Sequence, residues 1–105
     1  MAQQAPDNTE LPAPEQRIIE RLKSMPEVQR IYLFGSRARG DAAPRADIDI
    51  AVACPSASDE QWLRIWDEVE RTETLLFIDV VRFEEASDDL KARILDEGRV
   101  IYERG

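Results

Sequence analysis

The chain has 105 residues, 43% of them hydrophobic and 34% charged, and a formal net charge of −8. That length suits one domain, and no apolar run approaches the roughly 20 residues that a membrane helix requires. The acidic balance argues against general nucleic-acid binding, which rests on Lys and Arg at phosphates, and the absence of histidine removes Ser-His and Cys-His pairs and zinc-His sites.

Residues 1–14, MAQQAPDNTELPAP, have neither the basic end nor the apolar stretch of a secretory signal, and their Pro, Gln and Ala content predicts a frayed leader. A single domain is expected over residues 15–105. From Glu15 to Met25, Ile18, Ile19 and Leu22 recur at helical spacing and Pro26 ends the run. Arg30 to Phe34 is a short β-favouring run stopped by Gly35, as suits a central strand buried on both faces.

Next comes LFGSRARGD, residues Leu33 to Asp41, in which Gly-Ser is followed by alternating arginines. Arg30, Arg37, Arg39 and Arg45 make a local basic cluster in an acidic chain. Asp47 to Cys54, DIDIAVAC, alternates strictly, with Ile48, Ile50, Val52 and Cys54 on one face and Asp47, Asp49, Ala51 and Ala53 on the other. Cys54 is the sole cysteine, so an intrachain disulfide is excluded. It reads as a small buried hydrophobe and fits a cytoplasmic setting.

Ser58 with Gln61 forms a capping-box pattern ahead of a helix with a stripe of Trp62, Leu63, Trp66 and Val69; both tryptophans are expected in the core. Leu75 to Arg82, LLFIDVVR, reads as a strand with Asp79 in its middle. Ser87 can cap a last helix carrying Leu90, Ile94 and Leu95, Gly98 stops it, and Arg99 to Tyr102 reads as a final strand.

Residues two apart on a strand face one way with Cα atoms roughly 6.6 Å apart, so Asp47 and Asp49 address one spot. At about 5 Å and an effective dielectric near 20 such charges repel by about 3 kcal/mol, which a divalent cation would offset. An exposed acidic strand end is the plainer alternative. Asp79 lies among apolar Phe77, Ile78, Val80 and Val81, which predicts a buried carboxylate in need of a cation, either a metal or an arginine such as Arg82. Were its strand to lie beside Asp47 and Asp49, the three carboxylates could hold two metal ions roughly 3.5–4 Å apart, the arrangement of in-line phosphoryl transfer. Gly35 and Ser36 offer backbone amides to a phosphate, and Arg37 or Arg39 could add charge; the Gly-Lys-Ser/Thr ending of a Walker A loop is missing.

The elements LFGSRARGD, ADIDIAV and IDVV resemble, in order, the Gly-Ser, Asp-x-Asp and third-carboxylate elements of the minimal nucleotidyltransferases of the DNA polymerase β-like superfamily. The likeness runs from about Ile18 to Tyr102. It implies an α+β fold with a small mixed β-sheet flanked by helices. It also implies Mg²⁺-dependent transfer of a nucleoside monophosphate, AMP from ATP, to a hydroxyl with release of pyrophosphate. By the same resemblance Asp47 and Asp49 would bind both Mg²⁺ ions, Asp79 would bind the catalytic ion and help deprotonate the hydroxyl, and Gly35 and Ser36 would grip the β,γ-phosphates. Ala46 stands where that family often has serine.

The resemblance further implies a helical HEPN-domain partner, a toxin that the chain would adenylylate as its antitoxin. A two-component, aminoglycoside-like small-molecule transferase and a silent antitoxin acting by contact are the rivals. A chain this short has little surface with which to enclose two substrates, which independently favours a partner.

Overall fold

The computed structural model describes residues 11–40 and 46–104. The expected leader up to residue 10, and Arg45, lie outside the described residues. In chain order the elements are α1 (Ala13–Leu22), β1 (Arg30–Phe34), α2 (Ser36–Arg39), β2 (Ile48–Ala53), α3 (Asp59–Glu70), β3 (Ile78–Arg82), α4 (Asp88–Glu97) and β4 (Arg99–Glu103). A 3-10 turn, Phe83–Glu85, leads from β3 towards α4.

The four strands form one sheet in the order β3-β2-β1-β4. β1 runs antiparallel to both β2 and β4, whereas β2 and β3 are parallel and joined through α3, so the sheet is mixed as expected. β1 is central, and its residues Ile31 to Phe34 are all buried. One face of the sheet, with Ile31, Leu33, Ile48, Ile50, Val52 and Ile101, packs against Ile18, Ile19 and Leu22 of α1 and Ile65 and Val69 of α3. The other face carries Tyr32, Phe34 and Ala51, covered by Ile94 of α4.

Several boundaries differ from expectation for local reasons. α1 starts at Ala13, two residues inside the expected leader, because Pro12 at the N-cap and Pro14 in the first turn suit a helix start, where amide donors lack partners anyway. Leu11 is part of the core. The α3 capping box is formed, with Gln61 N donating to Ser58 Oγ at 3.1 Å and Ser58 N to Gln61 Oε1 at 2.8 Å.

The stripe of α3 is not the expected one. Ile65 and Val69 are buried and Trp62 packs beside them, while Leu63 and Trp66 are 62% and 44% exposed. Residues 62, 65 and 69 fall within about 60° on a helix of 3.6 residues per turn, whereas 63 and 66 swing away from that arc. Leu95 of α4 is likewise exposed. Cys54 is buried as expected, and burial pushes its thiol up to about 11. Among the described residues no helix is long and apolar enough to cross a membrane.

Candidate active site

Strand register assembles the site. β2 and β3 pair in parallel with Asp49 opposite Asp79, and on the other side of β2 Phe34, the last residue of β1, pairs with Asp49. Asp47 precedes β2 and shares the face of Asp49 by alternation. The three aspartates are therefore neighbours at one end of the sheet, on the face that α4 covers further along.

Their surroundings differ. Asp49 is half-buried, whereas Asp47 and Asp79 are exposed. The expectation of a buried Asp79 is thus corrected: β3 is the edge of the sheet, so apolar neighbours in sequence do not enclose the carboxylate. Nor does Arg82 pair with it. Three residues apart on a strand, the two side chains leave by opposite faces, and Arg82 instead reaches Ala57 O at 2.5 Å, Asp59 and Glu85.

Burial pushes the Asp49 carboxyl above the usual carboxylate range, and the charges of Asp79 and Asp47 push it the same way. Asp49 thus feels the charge of both neighbours. Among the described residues, however, no group of three or more His, Cys, Asp or Glu side chains is gathered closely enough to hold a metal ion as the side chains stand. Asp47, Asp49 and Asp79 make an open, spread set of hard oxygen donors centred on Asp49. That chemistry fits Mg²⁺, which accepts a few carboxylates and completes its shell with water and phosphate oxygens.

Gly35 follows Phe34 and turns the chain into α2. Its φ of +76° and ψ of −157° lie where essentially only glycine is comfortable, and a Cβ built there would stand 2.5 Å from Asp49 Oδ2. The glycine is required first because the Asp49 carboxylate occupies the space a side chain would fill. This adds a cause to the expected one, close approach of a phosphate. Ser36, half-buried, is the first residue of α2, and Gly40 closes that turn at φ +84°.

The three described arginines of the sequence cluster, Arg30, Arg37 and Arg39, each meet a different carboxylate. Arg30 is held at the opposite end of β1 by Glu103 and the Tyr32 hydroxyl. Arg39 forms an exposed ion pair with Glu97 of α4 at 3.1 Å. Arg37 is largely buried: its Nε donates to Ala46 O at 3.0 Å and its Nη1 lies 3.5 Å from Glu15 Oε2. Glu15 had no expected role beyond starting a helix, yet it is buried. Its spacing with Ile18, Ile19 and Leu22 is i, i+3, i+4 and i+7, which was the available signal that it lies on the inward stripe.

Surface hollows of about 480 and 630 Å³ run beside α1 and residues 73–76, and none of the three aspartates lines them. Phe77, 66% exposed, stands beside the carboxylates: its carbonyl accepts from Ile48 N at 2.9 Å, which continues the β2–β3 ladder to a level with Asp47.

Comparison with known proteins agrees with this fold. Residues 16–105 match the family model described as Polymerase beta, Nucleotidyltransferase. The chain is similar to Protein adenylyltransferase MntA of Shewanella oneidensis, 31% identical over 91 residues, covering 84% of this chain and 64% of MntA. It thus spans somewhat under two thirds of that curated relative. Among solved structures it is similar to a chain of a toxin-antitoxin with AMP-PNP (TM-score 0.69, 27% identity, 86% of this chain and 73% of that one). A second is a chain from a tri-AMPylated Shewanella oneidensis HEPN toxin in complex with MNT antitoxin (TM-score 0.58, 27% identity, 87% and 71%).

Proposed function

The chain belongs to the polymerase β nucleotidyltransferase family, and from that premise we propose that it transfers AMP from ATP to a hydroxyl of a HEPN-type partner protein, as its antitoxin. The observation that carries the reading is the parallel register of Asp49 with Asp79, with Asp47 on the same face and the Gly35 turn packed on Asp49. The relatives that bind AMP-PNP or accompany an AMPylated HEPN toxin support ATP and a protein acceptor.

In this mechanism the acceptor oxygen bonds to the α-phosphorus, the bond from that phosphorus to the pyrophosphate oxygen breaks, and pyrophosphate leaves. Asp79, exposed on the edge strand, receives the hydroxyl proton. Asp47 and Asp49 with Asp79 would hold two Mg²⁺ ions, which when bound neutralise phosphate charge in the transition state. Gly35 and Ser36 offer main-chain amides and a hydroxyl to the β,γ-phosphates, with Arg39 near the end of the same turn. Arg37 is directed elsewhere, to Glu15 and Ala46. Exposed Phe77 and Leu75 precede Asp79 on the sheet edge and give the partner an apolar seat beside the carboxylates. A lone, buried thiol suits the cytoplasm.

The test is to incubate the protein with labelled ATP, Mg²⁺ and a HEPN partner. Label on the partner, lost in Asp47→Asn and Asp49→Asn, supports transfer. Label on a small-molecule hydroxyl instead, or neutralisation of the partner that survives both substitutions, would replace this reading by one of its rivals.

A further inference from the structure

Outside the carboxylates, the feature least explained by packing is the buried charge on α1. Glu15 is 1% exposed, its Oε1 has no hydrogen-bond partner among the described residues, and its Oε2 meets Arg37 at 3.5 Å. An apolar residue would complete the stripe of Ile18, Ile19 and Leu22 without desolvating a carboxylate, and a buried ion pair by itself is weak evidence of stabilisation. The ion pair of Arg21 on α1 with Glu68 of α3 shows the contrast: at 2.9 Å and about one third exposed, it joins two helices with little desolvation.

What the buried pair fixes is a direction. Arg37 is 12% exposed, and besides Glu15 its guanidinium holds the carbonyl of Ala46 through Nε. Ala46 is the residue before Asp47, and Arg37 itself follows the Gly35-Ser36 turn whose glycine packs on Asp49 Oδ2. One planar, forked cation thus ties α1, the turn and the backbone entering the carboxylate strand. A lysine would reach one of these partners but would not reproduce the fork.

The geometry points to Glu15 and Arg37 as positioning residues for the divalent-cation site: Glu15 orients the guanidinium, and the guanidinium holds the Ala46 carbonyl and so the backbone that presents Asp47. Neither touches metal or nucleotide. The inference rests on the reading of the aspartates as a metal site, and it takes Arg37 out of direct phosphate binding.

The test measures Mn²⁺ affinity of the full chain by titration calorimetry, beside its melting temperature. Glu15→Gln, which keeps shape and an acceptor oxygen, and Arg37→Lys are each expected to weaken Mn²⁺ binding about tenfold, the scale on which the groups that orient metal ligands act. The double variant is expected to be no weaker than the weaker single, because both act through one contact. Glu68→Gln, which breaks the ion pair between α1 and α3, is expected to lower the melting temperature and leave Mn²⁺ affinity within about twofold.

Unchanged Mn²⁺ affinity in Glu15→Gln and Arg37→Lys, in a protein whose Asp47→Asn variant loses it, would overturn the positioning role alone. Additive losses in the double variant, or an equal loss in Glu68→Gln, would overturn it too. If the wild-type chain does not bind Mn²⁺, the metal reading of the aspartates fails and the positioning role falls with it.

Discussion

The two sides of β2 are built to different ends. Ile48, Ile50 and Val52 face α1 and α3 and are completely buried; on the opposite side Asp49 stands between Phe34 and Asp79 with Asp47 beside it. The first side follows from apolar burial alone. The second gathers like charge, pushes the Asp49 carboxyl upward and admits no side chain at position 35. Six consecutive residues thus supply both the anchor of the fold and a site whose cost in stability only a ligand relieves.

The largest expected effect separates these roles. Asp49→Asn should lower nucleotide transfer about 10³-fold or more, since metal-borne charge stabilisation is worth several kcal/mol, while the apo protein melts at a higher temperature than wild type. Transfer assays and calorimetric melting on one preparation check both halves. Ile50→Ala, one residue away on the other side, should do the reverse. It should cost about 2–5 kcal/mol in urea unfolding and leave activity per folded molecule nearly unchanged.

Gly35→Ala probes the contact between the turn and the carboxylate. A residue forced into that backbone region costs about 1–3 kcal/mol, and here the new Cβ also meets Asp49 Oδ2. The penalty should therefore shrink, without vanishing, when Gly35→Ala is measured in an Asp49→Ala background. An equal penalty in both backgrounds would show that the carboxylate is not what excludes a side chain.

The smallest effect is in pH. Because the Asp49 carboxyl is raised in the folded state, the native chain binds its proton more readily than the unfolded chain. Stability from this group is greatest below the ordinary carboxylate range and falls as pH rises through it, so without divalent cations Asp49→Asn should gain on wild type over that interval. Melting curves across the acidic range, with and without Mg²⁺, read the difference, which the cation should diminish.

These two sides were unequally legible in the sequence. Strict alternation from Asp47 to Cys54 separated them at once, and the Ser58 and Ser87 caps marked α3 and α4, because both signals are local. The pairing of Asp49 with Asp79 is a contact across thirty residues that periodicity does not contain; the residues left it as a condition, and the resemblance favoured it. The exposure of Asp79 was misread because apolar neighbours say nothing about whether a strand is at an edge. Trp66 was misplaced because large apolar residues outweighed angular position, and Ile65, smaller but on the inward arc, was overlooked.

For Arg37 the sequence offered either a phosphate contact or a salt bridge, and the structure shows an ion pair. Its partner Glu15 comes from another element, and only the fold joins them. A charge at i within an i, i+3, i+4, i+7 stripe is a usable sign that something inside awaits it.

The most direct measurement is the anomalous scattering of Mn²⁺ in crystals grown with a non-hydrolysable ATP analogue. The expected result is Mn²⁺ ligated by Asp47, Asp49 and Asp79 and bridged to a triphosphate lying on the Gly35–Ser36 amides. Mn²⁺ bound elsewhere, or a triphosphate seated away from that turn, would contradict the assignment of this face as the nucleotidyl-transfer site.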